Sequence, residues 1–145
     1  MVYCRSLLFR QVLKMFDFSH YCDVGDYLIN VPSEANIRSG ISRYYYYSGL
    51  CCVRRYLVET MNETEFINAF NIHKRICDRL INSCDDTEAS IGEKLIQLKE
   101  LRNNADYDWR LGLDYFNENL NNVQRDSKII LEQIEALRNS PPLEL

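Results

Sequence analysis

Between Pro32 and Pro141 the chain contains no proline, and apolar residues along that stretch recur at intervals of three and four. That spacing is the signature of helices burying one face, and the chain has no strand-like alternation and no Asn-Gly hairpin signal to compete with it. The expected class is therefore all-α, an antiparallel bundle of four to five helices.

The first helix is expected from Phe18 to Asn30, closing before Pro32 because the residue preceding a proline is pushed out of helical geometry. Ser33 can cap a second, long helix from Glu34 to about Thr60, striped by Ile37, Ile41, Tyr44, Ser48 and Cys51. It would be about 39 Å long at 1.5 Å per residue. Asn62 with Glu65 resembles a capping box opening a third helix, with Phe66, Phe70, His73, Cys77 and Leu80 on one face. Ser90 with Glu93 suggests a second capping box, opening a fourth helix with Ile91, Leu95, Leu98, Arg102 and Ala105 in register. Gly112 marks a break, and Asp114 can cap a last helix carrying Phe116, Leu120, Val123, Ser127, Ile130, Ile134 and Leu137.

With 145 residues, no internal repeat and no low-complexity linker, the economical reading is one domain over 16–140. Residues 1–15 read as an N-terminal extension that either packs, stays flexible or precedes an internal start at Met15. Arg10 and Gln11 interrupt its apolar run and no small-residue cleavage site follows, so no secretory signal is expected. No apolar run approaches the roughly 20 residues that span a bilayer, so no membrane association is expected. Cys4, Cys22, Cys51, Cys52, Cys77 and Cys84 form no Cys-x-x-Cys, and most fall in helical apolar patterns. They read as reduced core thiols of a cytoplasmic protein. A four-helix metal protein lacks its ligands, because no Glu-x-x-His pairs occur on facing helices; the expectation is no metal and no cofactor.

The charge balance is mildly acidic, 17 basic against 21 acidic residues. That balance does not suggest a broad electrostatic grip on nucleic acid, and any RNA contact would have to come from a local basic patch. Arg38, Arg43, Arg54 and Arg55 place basic charge on the second helix, either as a solvated face or as a phosphate-contacting surface. Two polar residues break the apolar stripes: His73 and Arg102. A guanidinium keeps its charge, so a buried Arg needs a partner or an anionic ligand. Asp106, one turn on, is the obvious partner. Two readings stand: an Arg102–Asp106 pair that pins the bundle, and an arginine held in a cleft to meet a phosphate. His73 reads most simply as a satisfied core histidine. The run Tyr44–Tyr47 wraps most of the way around a helix, so it cannot face one core. Its helix is either central or covered by a second subunit, with base stacking on Tyr45 as the sharper alternative.

Two segments together resemble the HEPN superfamily, in particular its small stand-alone bacterial proteins. Glu34-Ala-Asn-Ile-Arg-Ser-Gly-Ile-Ser-Arg-Tyr-Tyr-Tyr-Tyr47 is similar to the family's EA-x-x-R-x-x-ISRAYYA helix. Ile91-Gly-Glu-Lys-Leu together with Leu98-Lys-Glu-Leu-Arg-Asn-Asn-Ala-Asp-Tyr107 is similar to its iG-x-x-L and L-x-x-x-R-x-x-ADY segments. The likeness runs from about Phe16 to Leu137. It implies a helical bundle that commonly dimerises, RNA binding or cleavage, and a toxin–antitoxin or antiphage defence setting, often with a nucleotidyltransferase-type partner. It also implies a site of Arg102, Asn103, Asp106 and residue 107. Catalytic relatives carry Arg-x4–6-His, and the histidine position falls here on Tyr107. A tyrosine, with a reference pKa of about 10, is a poor base at neutral pH. His73 is the other residue able to move a proton, so metal-independent endoribonuclease activity through Arg102, Tyr107 and His73 is one expectation. A non-catalytic module that binds a nucleotide or a partner protein is the other.

Overall fold

The computed structural model describes residues 16–141 except residue 69, and describes no side chain for Tyr47 or Ser48. The expected N-terminal extension, with Cys4, lies outside the described residues. Among the described residues there are helices and turns and no strand. Counting the continuous stretch 34–59 as one, five helices among the described residues pack into one all-α bundle.

Helix α1 (His20–Ile29) ends as the approach to Pro32 requires, with Asn30 bonding back to the last carbonyls. A continuous rod then spans 34–59. It begins as α2 (Glu34–Arg43), widens to a π-helical segment (Tyr44–Cys51) and finishes as α3 (Cys52–Glu59). A 3-10 turn (Thr64–Phe66) leads to α4 (Ile72–Ile81), α5 (Asp86–Tyr107) and α6 (Leu113–Asn139). No described helix is long and apolar enough to cross a membrane.

The π-helical segment sits at the centre of the bundle, touching α1, α5 and α6. Tyr44 and Tyr45 are fully buried and Tyr46 half-buried. The run of tyrosines thus belongs to a central helix, one of the two alternatives the sequence left open. The wider turn shifts the buried face. The expected stripe through Cys51 gives way to Cys52 and Val53, then Tyr56 and Leu57, and Cys51 is only half-buried. Burial pushes the Cys52 thiol up to about 12. No disulfide links the described cysteines.

Glycines allow the closest approaches. A Cβ on Gly40 would lie 2.6 Å from Ile29 Cγ2, and one on Gly25 2.9 Å from the Tyr44 ring, so α1 presses directly onto the rod. The apolar stripe of α6 behaves as its periodicity predicts. Phe116, Val123, Ser127, Ile130, Ile134 and Leu137 are buried, and Leu120 packs against them.

Three expected helix starts are corrected. Asn62 is left-handed (φ 57°) and caps nothing; its segment makes only the 3-10 turn before Asn71, also left-handed, precedes α4. Phe70, placed on the buried face by periodicity, is therefore exposed, while Phe66 is buried. Ser90 lies a turn inside α5, whose N-cap is Asp85, its carboxylate accepting the Glu88 N–H at 2.9 Å. An acidic N-cap is as effective as the serine expected, so Asp85 captures the helix start earlier. Gly112, not Asp114, is the N-cap of α6.

One buried polar network ties the far end of the rod to α4 and α5. Glu88, 1% exposed, accepts hydrogen bonds from Tyr56 Oη (2.6 Å), Ser83 Oγ (2.6 Å) and Arg79 Nη1 (2.7 Å). Arg79 Nε also donates to Glu63 Oε1 at 2.6 Å. Burial alone would raise the Glu88 carboxyl; its three donors together hold it below the usual range.

Candidate functional site

The candidate site forms where the π-helical segment, the start of α4 and the last turns of α5 meet. Widening the helix at Tyr44 sends Tyr45 and Tyr46 toward α4 and α5 together, and π-helical turns are frequent at functional sites. Tyr45 Oη shares a 2.8 Å hydrogen bond with His73 Nδ1, and their rings stack at 5.8 Å with an interplanar angle of 18°. The Tyr46 ring meets His73 edge-on at 5.5 Å. The imidazole Nε2 takes no part in the Tyr45 bond.

Arg102 approaches the same tyrosines from α5. Its Cζ lies 4.2 Å from the Tyr46 ring centroid, 5.9 Å from Tyr45 and 5.4 Å from Tyr107. Its Nη2 donates to Tyr46 Oη and its Nη1 to Asn103 Oδ1 at 2.9 Å. Asp106 Oδ2 lies 2.9 Å from Nε, but out of line with the N–H, so the contact is an ion pair and not a hydrogen bond. The same carboxylate oxygen accepts from Ser42 Oγ at 3.3 Å. The Arg102 side chain is 11% exposed and that of Asp106 26%. The cation is thus largely dry, clasped by aromatic faces, and neutralised at one edge only.

His73 and Arg102, placed on separate helices by the sequence and not connectable by spacing, therefore share the Tyr45–Tyr46 pair. Burial lowers the His73 pKa first, and the positive charges of Lys99 and Arg102 lower it further. Folding thus favours neutral imidazole. The associated stability is present above the ordinary histidine value of about 6.5 and is lost as pH falls through the lower folded-state value. Wild-type protein should accordingly lose melting temperature on acidification from pH 7 to 5, by more than His73→Gln does. Equal losses in the two proteins would remove His73 as the titrating group.

The other expected residues are placed as follows. Asn103 and Tyr107 are exposed beside Arg102, with Tyr107 71% exposed. Tyr45 is fully buried, so its ring offers no face to a base, contrary to the stacking alternative; its hydroxyl serves His73 instead. Arg43 is engaged with α1, its guanidinium 5.7 Å over the Tyr21 ring.

Arg38, grouped by sequence with the solvated or phosphate-facing arginines, does neither. Its guanidinium closes the C-terminal end of α5. Nη1 donates to the carbonyls of Ala105 (2.9 Å), Asp108 (3.1 Å) and Asn104 (3.3 Å), and Nη2 to that of Leu111 (2.6 Å). The same group lies 4.4 Å over Phe116 and is paired with Glu34 at 2.9 Å. Helix C-termini leave carbonyls that cations satisfy well. Arg38 thereby positions the turn that carries Tyr107. Its place in the Glu-Ala-x-x-Arg motif was the available signal. Tyr46 was visible only as one of four equivalent tyrosines.

No group of three or more His, Cys, Asp or Glu positioned to hold a metal occurs among the described residues. A shallow groove on the outer side of the site is lined by Asn103, Asn104, Tyr107, Asp108, Trp109 and Arg110.

No family model, curated protein or solved structure matches this chain. The functional reading therefore rests on the geometry of the site and on the two motifs.

Proposed function

We propose that this chain is an RNA-directed protein of the HEPN kind, and that Arg102 is its phosphate-contacting group. The observation that carries the reading is the meeting of Arg102 and His73 on the Tyr45–Tyr46 pair. Metal-independent RNA cleavage needs a cation to stabilise charge on the phosphorane and a group that moves protons between the 2′-OH and the leaving oxygen. Arg102 supplies the first. Neutral imidazole at His73, held on the same pair of tyrosines, supplies the second in place of the histidine that Tyr107 replaces. The motifs extend the proposal to a toxin–antitoxin or antiphage setting, a homodimer, and a nucleotidyltransferase-type or other defence-system partner.

In a second reading the chain is a non-catalytic accessory module that binds a nucleotide or a partner protein. Two observations favour it: tyrosine at position 107, and the contacts by which Tyr46, Asn103 and Asp106 already occupy Arg102.

The test is cleavage of total RNA and tRNA by purified protein in EDTA, with Arg102→Ala and His73→Ala as variants. Cleavage is expected to fall about 10²- to 10⁴-fold in His73→Ala, the range typical of lost acid–base catalysis, and about 10²- to 10³-fold in Arg102→Ala, the range typical of a lost charge-stabilising donor. Because Asp106 remains partly solvated, Arg102→Ala should cost little in melting temperature. Absent cleavage by the wild type would decide for the accessory reading. A large loss of melting temperature in Arg102→Ala would make the pair structural.

A further inference from the structure

Trp109 is the chain's one tryptophan, and 86% of it is exposed. Tyr107, two residues before it, is 71% exposed. Large aromatic side chains gain most of their stabilising value from burial, so two of them held in water beside a candidate site require an explanation.

The segment that presents them is tied down. Arg38 holds the carbonyls of Asp108 and Leu111 on either side of Trp109. The Asp108 carboxylate accepts from the Arg110 backbone N–H at 3.0 Å and is paired with the Arg110 guanidinium at 3.0 Å. Asn104 Nδ2 donates to Tyr115 Oη at 3.0 Å, fastening the last turn of α5 to α6. The backbone that carries Trp109 is thus set before any ligand arrives, which reduces the ordering cost of binding. The surrounding groove adds amide groups from Asn103 and Asn104. The Arg102 guanidinium lies over one face of the Tyr107 ring, 5.4 Å from its centroid, so a cation that can meet a phosphate adjoins the exposed aromatic pair.

From this we infer that Trp109 and Tyr107 form a stacking platform for an unpaired nucleobase, adjoining the Arg102 phosphate site. The inference rests on the RNA-directed reading and specifies its substrate: a single strand, or a loop whose bases are splayed out. Every base has a π-face, so the platform itself selects for unpaired bases and not for sequence. A duplex keeps its bases stacked on one another and gives the platform nothing to hold.

A single tryptophan makes its emission a report on one residue. Full-length protein would be titrated with a short labelled single-stranded RNA and with the same RNA annealed to its complement. Trp109 emission and the anisotropy of the label would be followed together. The expected result is quenching that saturates with the anisotropy for the single strand and is absent for the duplex. Stacking is worth about 1–3 kcal/mol per base, so Trp109→Ala should weaken single-strand binding by about 5- to 150-fold. Trp109→Phe should retain most of the affinity. A rise in anisotropy with unchanged emission, and equal binding by Trp109→Ala, would overturn the platform while leaving the RNA-directed reading in place. No anisotropy change with any RNA would overturn both. Emission that shifts with protein concentration alone would show Trp109 covered by a second copy, and would overturn the platform in favour of a dimer contact.

Discussion

Arg79→Ala is expected to destabilise the protein by about 3–5 kcal/mol, the penalty for leaving one member of a buried ion pair without its partner. Glu88 is 1% exposed and would keep only the hydroxyls of Tyr56 and Ser83 as donors. Globular domains are stable by about 5–15 kcal/mol in total, so the loss is a large share of the whole. A fall in Tm of about 10 °C or more should accompany it. The pH dependence gives a second readout. In the wild type the Glu88 carboxyl is depressed, so its contribution is present above the ordinary glutamate value and lost as pH falls through the folded-state value. Without Arg79 burial dominates, the carboxyl is raised, and acid relieves the variant by protonating it. The stability gap between the two proteins should therefore narrow as pH drops toward 4. A gap constant with pH, or a Tm within about 2 °C of wild type, would mean that Glu88 is not held by Arg79.

Arg38→Ala is the second large effect. Hydrogen bonds to charged groups contribute about 1.5–3 kcal/mol each, and one guanidinium serves four carbonyls here. These carbonyls sit at a helix end, where water can replace part of what is lost, so the expected cost is about 2–4 kcal/mol. Amide exchange should quicken locally across 104–112. Arg38→Lys should recover less than half of the stability, because an ammonium is a point charge and cannot fork across several acceptors. Denaturant unfolding read beside hydrogen exchange would decide. Unchanged exchange across 104–112 would remove Arg38 from its role at the end of α5.

What the sequence revealed was what short-range repetition encodes. The stripe of α6 and the stop at Pro32 are local facts, and the structure keeps them. That Arg102 lies against the bundle and not in solvent was also legible, because it interrupts an apolar stripe. The helix starts were less so, since Asn62, Asp85 and Ser90 all offer capping side chains and tertiary context selects among them. Arg38 was misread for a different reason. Its acceptors lie 66 to 73 residues away in sequence, and apart from its place in the Glu-Ala-x-x-Arg motif nothing local distinguishes it from Arg55, which forms an i,i+4 pair with Glu59. The meeting of His73 with Arg102 was beyond periodicity altogether. It depends on how the rod turns between Tyr44 and Cys51, and a stripe extrapolated at 3.6 residues per turn carries no sign of a wider turn.

That wider turn sets a phase. A helix advances 100° per residue, and a π-helical stretch advances less, so everything beyond it is rotated relative to everything before it. Upstream, Ile37 and Ile41 face the core; downstream, Tyr56 points its hydroxyl at Glu88. Between them Tyr45 and Tyr46 hold His73 and Arg102. The rod behaves as a camshaft whose lobes are indexed by one widened segment. The buried Glu88 contact at one end and the Arg38 guanidinium at the other keep their angular relation through the same few residues that shape the candidate site, so the tyrosine run gives the bundle its timing as well as its core.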